Sequence, residues 1–151
     1  MKTIILSAIF ATLIILNLTS CKEKNTLEDE HDHTEAIGLI VYNMDKPYFK
    51  VINAQIDTTV AKEFLVPYQQ EMTFEVKFID TDGEIITPTE HSKNFSWVLD
   101  DTSLVSASFV SNEKYKFKMR GIKTGKTLVE FRLNHYDHPD FKTPKVPLVV
   151  K

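Results

Sequence analysis

The sequence predicts an all-β protein, a sandwich of about seven strands preceded by one additional hairpin. Three observations predict this class: apolar and polar residues alternate, turn residues separate the alternating segments, and no long segment has helical period. The alternation is clearest from residue 71 to residue 80, where four apolar side chains share one face because neighbouring strand residues face opposite ways. They are Met72, Phe74, Val76 and Phe78.

Nine segments are predicted as strands. Two form the N-terminal hairpin, at about 38–42 and 48–56, with a turn between them. The last segment begins near Pro144 and contains Pro147, which predicts either an edge strand or prolines at the start of the strand, because proline cannot donate to a central ladder. The seven strands of the main body are expected at about 62–66, 71–80, 94–99, 104–110, 114–120, 126–134 and 145–150.

The first twenty residues have the order of a secretory signal peptide. Lys2 precedes an apolar run from residue 3 to residue 18, and small polar residues follow that run. The end of the run, Leu18-Thr19-Ser20-Cys21, resembles the lipobox of bacterial lipoproteins. The resemblance implies that Cys21 is linked to diacylglycerol, becomes the first residue after cleavage and anchors the protein to a membrane.

Two other interpretations of this segment stay open. An uncleaved transmembrane helix needs about 20 apolar residues, slightly more than the run provides. Ordinary secretion without an anchor is the third interpretation. Stable anchoring takes more than one acyl chain, and diacylglycerol with an N-acyl group would supply it. We expect a lipid-anchored protein of the bacterial cell envelope, at the outer membrane, with the face unresolved.

The predicted organisation is a signal peptide at 1–20, an acylated cysteine and flexible tether at 21–35, and one domain at 36–151. The tether is rich in charged and histidine residues and has too little apolar surface to offset the entropy of ordering. The formal net charge of −3 gives no basic footprint for nucleic acid, so no nucleic-acid partner is expected. The lone cysteine permits no internal disulfide.

Three segments of the main body resemble the bacterial immunoglobulin-like domain of group 2. They are Phe95-Ser96-Trp97, then residues 100–106 with their Asp/Ser turn, then residues 121–127 with glycine at both ends of a five-residue stretch. The likeness covers about 62–151. It implies an immunoglobulin-like sandwich with Trp97 packed in the core, and a fold does not by itself fix a function.

Four of the five histidines fall in two groups, each among carboxylates. Imidazole and carboxylate are ordinary ligands of zinc and other divalent transition metals. Histidines two apart share a face of an extended chain, and histidines three apart converge across a turn, which Pro139 favours. The first group contains His31 and His33, and the second contains His135, Asp137, His138 and Asp140.

The expected topology adds two candidates. In an immunoglobulin-like sandwich the loops after the second and sixth strands lie at the same end, which here are 81–93 and 135–143. Glu90 and His91 would then lie beside the second histidine group. The predicted metal ligands are therefore the residues of both groups with Glu90 and His91. The alternatives to metal binding are that these histidines lie in solvated loops or that they recognise a ligand other than a metal.

A second resemblance covers nearly the whole chain after the signal peptide. The frame His31-x-His33-Thr34-Glu35-Ala36-x-Gly38-Leu39 and the ending Leu133-x-His135-x-x-His138-x-Asp140-Phe141-x-x-Pro144-x-x-Pro147 are similar to poorly characterised histidine-containing bacterial lipoproteins. The resemblance implies that these histidines form a motif.

Enzyme signatures are missing from the sequence. It has no glycine-rich phosphate loop, no Gly-x-Ser-x-Gly elbow and no His-Glu-x-x-His pattern. A zinc hydrolase would need an open coordination position and a base, for which Glu90 is the one candidate. We expect a non-enzymatic protein instead, an envelope lipoprotein that binds zinc or a related metal for uptake or buffering.

An outer-membrane transporter or another envelope protein is the expected partner in such a role. Because the ligating imidazole is neutral and its ordinary pKa is about 6.5, metal affinity should fall in mild acid. The main alternative function is a structural or adhesive module that binds a protein or a glycan, with incidental histidines.

Overall fold

The computed structural model describes residues 35–151, which form twelve β-strands in two sheets. None of these residues belongs to a helix that is long and apolar enough to cross a membrane. The predicted signal peptide, Cys21, His31 and His33 lie outside the described residues. In chain order the strands are β1 Ala36–Asn43, β2 Lys46–Ile52, β3 Gln55–Ile56, β4 Phe64–Val66, β5 Glu71–Asp80, β6 Ile85–Ile86, β7 Lys93–Leu99, β8 Val105–Phe109, β9 Lys116–Gly121, β10 Gly125–His135, β11 His138–Lys142 and β12 Val146–Val150.

The strand order is that of an immunoglobulin-like sandwich. One sheet has the order β3-β2-β1-β5-β9-β8, with β6 paired to β5. In the other, β10 pairs with β7 along one edge and with β11 and β12 along the opposite edge, and β12 pairs in parallel with β4. The series β5-β9-β8 and β7-β10-β12 reproduce the central strands of the immunoglobulin fold, so the predicted all-β sandwich is confirmed.

The core between the sheets is built mainly from phenylalanine. Alternation places one apolar face of each strand inward, and five phenylalanine rings from both sheets meet at the centre. Neighbouring ring centroids are 5.0 to 6.1 Å apart, within the range of favourable aromatic pairs. Trp97 packs at the margin of this cluster and is partly buried. The five rings belong to Phe64, Phe74, Phe95, Phe117 and Phe131.

The N-terminal hairpin is present, and its second strand is interrupted. β1 and β2 are joined by a two-residue turn at Met44-Asp45, where both φ angles are positive. The predicted strand 48–56 is broken at Asn53-Ala54, with φ angles of 49° and 58°, into β2 and β3. Positive φ at both central residues is typical of the type I′ turn, which matches the twist of the strands it joins.

The segment 135–143 is a hairpin, whereas the sequence predicted a loop. β10 continues to His135, the chain turns at Tyr136-Asp137, and β11 pairs back onto β10. The strand was missed because it has no apolar alternation and because Pro139 argued for a turn. Pro139 is accommodated because β11 has strand hydrogen bonds only to β10 among the described strands, which is the edge position that proline tolerates.

Candidate metal centre

The β10–β11 hairpin places two histidines directly opposite each other. His135 is the last residue of β10, His138 is the first of β11, and the two are register partners. Side chains at opposed positions of an antiparallel pair have Cβ atoms about 4.5–5.5 Å apart. The two imidazole centroids lie 5.6 Å apart. The spacing of three residues in the sequence therefore becomes a direct cross-strand contact.

A carboxylate completes a group of three donors. Asp140 lies two residues after His138, at a register shift in the β10–β11 pairing, and its Oδ1 is 3.4 Å from His138 Nε2. One potential ligand atom from each of His135, His138 and Asp140 lies within 4.8 Å of the other two. Within residues 35–151, no other three side chains of His, Cys, Asp or Glu converge in this way. Zinc ligands at about 2 Å from the metal lie less than about 4 Å apart, so small side-chain rotations would close the site.

The three donors differ in their exposure to solvent. His135 is 6% exposed and packs against the Tyr136 ring, at a centroid distance of 4.6 Å. The side chain of Asp140 is 15% exposed, while that of His138 is 60% exposed. The group therefore has an inner wall held by the fold and an outer side that solvent ions can reach.

His138 lies between two carboxylates. Its Nε2 is 3.4 Å from Asp140 Oδ1, and its Nδ1 is 3.4 Å from Asp137 Oδ1. Asp137 lies outside the group of three donors but faces the second ring nitrogen of His138. Metal-binding histidines commonly donate their other ring N–H to a carboxylate, which orients the ring. Asp137 is placed for that supporting role.

A buried lysine contacts the site, and sequence reasoning missed it. Lys93 begins β7, its side chain is 2% exposed, and its Nζ forms an ion pair with Asp140 Oδ2. A lysine at a strand end is usually solvated. The signal that could have found it is the strand alternation itself, because Lys93 is in phase with the buried Phe95.

The segment before β7 reaches the same end of the sandwich as the hairpin. The Tyr136 N–H donates to the Ser92 carbonyl oxygen at 3.0 Å. Lys114, in the β8–β9 connection, donates from Nζ to the His91 carbonyl oxygen at 3.1 Å. The two predicted segments therefore meet, but His91 and Glu90 lie outside the three-donor group.

Glu90 acts electrostatically on a neighbouring tyrosine. The hydroxyl of Tyr115 is buried and has no hydrogen-bond partner among the described residues. Burial, together with the negative charge of Glu90, raises the pKa of Tyr115 to about 12. Both effects disfavour the phenolate, so Tyr115 is neutral at physiological pH.

A second surface feature lies at the edge formed by β7 and β8. An open groove of about 530 Å³ is lined by seven residues, among them Phe95, Phe109 and Lys114. Phe109 is 47% exposed, and its ring lies 4.7 Å from that of Trp97. β8 has no charged residue and no proline, the devices that usually protect an edge strand from pairing.

Comparisons with known proteins give matches among solved structures. No family model and no curated protein matches this chain. Among solved structures, the chain is similar to domains 4 and 5 of the S-layer protein SbsC, at 23% identity and a TM-score of 0.41, over 59% of this chain and 47% of that one. It is also similar to domains 5–6 of the same protein, at 23% identity and a TM-score of 0.43, over 60% of this chain and 40% of that one. The chain thus spans less than half the length of these structures.

Proposed function

We propose that this protein is a membrane-anchored lipoprotein of the bacterial cell envelope that captures a divalent transition metal, zinc above all, at its β10–β11 hairpin. The observation that supports metal capture is the convergence of His135, His138 and Asp140, with ligand atoms within 4.8 Å of one another. Two imidazoles and a carboxylate form an ordinary zinc ligand set, and three protein ligands leave one position for water or a further ligand.

The unequal exposure of the donors suits capture and release. His135 holds one ligand position within the fold, while His138 is open to solvent and can exchange its metal. The role is binding and not catalysis, because the sequence has none of the usual catalytic motifs. His31, His33, Glu90, His91 and Asp137 stay predicted as additional or supporting ligands.

The membrane anchor rests on Cys21 and its resemblance to the lipobox. A lipid on Cys21 would keep the metal site close to the membrane, at the outer membrane in this proposal. The captured metal would be buffered there or passed to an outer-membrane transporter. No residue of the described domain identifies that transporter, so the partner is proposed from the role alone.

Thermal melting with and without zinc tests the proposal. Zinc should raise the melting temperature of the protein by several degrees, because a ligand at about 100 times its Kd stabilises the folded state by about 2.7 kcal/mol. His138→Ala should abolish the shift while leaving the zinc-free melting curve unchanged, since this side chain is largely exposed.

Glu113→Ala is the matched control, because it removes an exposed carboxylate that forms an ion pair with Lys116 and lies outside the three-donor group. It should keep the full zinc-dependent shift. Identical melting curves with and without zinc would defeat the proposal.

The groove beside Trp97 and Phe109 supports a second candidate, a structural or adhesive module. Aromatic side chains with large exposed area are favoured at binding surfaces, and the unprotected β8 edge could pair with a partner strand. Phe109→Ser should then weaken binding to an envelope protein or a glycan while zinc binding stays unchanged. Unaltered binding to every such partner would exclude this role for the groove.

A further inference from the structure

The buried lysine at the metal centre has a defined electrostatic role. An ammonium group taken out of water is costly unless a negative partner compensates it. Lys93 has that partner in Asp140, and Lys93 is also the cross-strand partner of His135 in the pairing of β7 with β10. The candidate site therefore contains a fixed positive charge on its protein side.

The ion pair decides how Asp140 faces the histidines. Oδ2 of Asp140 is held by Lys93 Nζ, whereas Oδ1 lies 3.4 Å from Nε2 of His138. Only one carboxylate oxygen is thus presented to the space between the imidazoles. The negative charge of Asp140 is also balanced before any metal arrives, so the three-donor group together with Lys93 has no net charge when both imidazoles are neutral.

We propose that Lys93 determines which metals the site accepts; this inference rests on the proposed metal binding. Calcium and magnesium depend on several oxygen ligands, and calcium often takes both oxygens of a carboxylate. A single, charge-compensated oxygen beside two imidazoles is a poor site for them and for manganese. Metals that prefer imidazole, such as zinc and copper, keep their main ligands there. Lys93 is a positioning residue, acting through Asp140.

Lys114 provides a matched control for the charge. It is a second lysine at the same end of the sandwich, and its Nζ donates to the carbonyl oxygens of His91 and Lys93 at 3.1 and 3.5 Å. Within residues 35–151 the lysine that forms an ion pair with Asp140 is Lys93 and not Lys114. Removing the charge of Lys114 changes the electrostatic potential at this end of the sandwich and leaves the ion pair that orients the Asp140 carboxylate in place.

Calorimetric titration of the full chain with zinc, manganese and calcium tests the inference. The unmodified protein should bind zinc and give no measurable calcium or manganese binding at concentrations where zinc saturates. Lys93→Met, which keeps the length and removes the charge, should raise manganese affinity relative to zinc at least tenfold, about 1.4 kcal/mol. Lys114→Met should keep the unmodified preference.

Three outcomes would overturn it. The first is an unmodified protein that binds calcium or manganese as tightly as zinc, which needs no variant and so remains decisive if Lys93→Met does not fold. The second is a folded Lys93→Met protein with an unchanged zinc-to-manganese preference. Lys93→Gln, which is neutral and still able to donate to Asp140, checks the second outcome independently. The third is an unmodified protein that binds no zinc, which would defeat the proposed function as well, whereas the first two leave zinc binding at the hairpin intact.

Discussion

Tyr48 is half-buried and Tyr115 is buried, and their hydroxyl groups differ in their hydrogen bonds. Tyr48 donates to the Leu65 carbonyl oxygen at 2.9 Å, whereas the buried hydroxyl of Tyr115 has no hydrogen-bond partner among residues 35–151. Burial raises the pKa of both side chains. A buried polar atom without a partner costs stability, and a satisfied one contributes to it. The same substitution should therefore have opposite effects at the two positions.

Tyr115→Phe should stabilise the protein by about 1 kcal/mol, because it removes a buried hydroxyl that has lost its bonds to water. Tyr48→Phe, the matched control, should destabilise it by about 1 kcal/mol through loss of the bond to Leu65. Urea unfolding at neutral pH measures both. Equal destabilisation by the two variants would show that the Tyr115 hydroxyl has a partner.

Stability at alkaline pH should depend on Tyr115. Its folded pKa of about 12 lies above the usual value of 10, so the folded state retains the proton more tightly than the unfolded state. The resulting stabilisation is complete below pH 10 and is lost as the pH rises from 10 to 12. Unfolding free energies measured across this interval should fall less steeply in Tyr115→Phe than in the unmodified protein. If the unfolding free energy of the two proteins falls with the same slope, the pKa of Tyr115 is not raised in the folded state.

The residues of the metal centre were predictable only in part. His135, His138 and Asp140 could be found because imidazole and carboxylate side chains cluster in the sequence at spacings that permit joint coordination. Lys93 was not assigned to the same site, although the expected topology placed residues 81–93 beside this group. Strand alternation indicates that Lys93 is buried, but it does not specify that the ammonium group pairs with Asp140, 47 positions along the chain.

Among the secondary-structure elements, local sequence patterns predicted the positions of strands better than the positions where a strand is interrupted. Predicted and observed bounds of β5 coincide because its alternation is long and ends at turn residues. A turn after His135 was expected, whereas the return strand β11 was not. The break at Asn53-Ala54 was missed, because that turn lacks the glycine that usually marks positive φ. Non-glycine residues in this conformation cost stability, which suggests a direct test.

Ala54→Gly should stabilise the protein by roughly 0.5–1 kcal/mol, because Ala54 has a φ of 58° in the β2–β3 turn and Asn-Gly is the favoured type I′ pair. Ala107→Gly is the matched control within β8, where added backbone freedom should cost roughly 0.5–1 kcal/mol. Chemical denaturation shows whether each substitution raises or lowers the free energy of unfolding. Destabilisation by Ala54→Gly would contradict the observed turn.

For the whole molecule, the sequence was sufficient for the class of fold but not for every strand partner. Alternation and the absence of helical period predicted two β-layers, which the structure has. The addition of β1 to β5, and the parallel pairing of β4 with β12, depend on long-range packing that no local signal encodes. The membership of the group 2 immunoglobulin-like domains and the lipid anchor stay predictions.

Cys21→Ser should remove the protein from the membrane fraction or block its processing, because serine cannot form the thioether with diacylglycerol. Mass spectrometry of the processed chain should show the mass of the lipid in the unmodified protein and not in the variant. Ser20→Ala, which keeps a small residue before the cysteine, is the control and should leave anchoring unchanged. If Cys21→Ser changes neither the membrane fractionation nor the mass of the processed chain, Cys21 does not carry the lipid anchor.

Zinc binding by the β10–β11 hairpin can be measured from the NMR signals of the imidazole rings during a zinc titration. With one equivalent of zinc, the ring signals of His135 and His138 should shift or disappear together, and His138→Ala should abolish the change at His135. If the ring signals of these two histidines stay unchanged when zinc is in excess, the hairpin does not bind zinc.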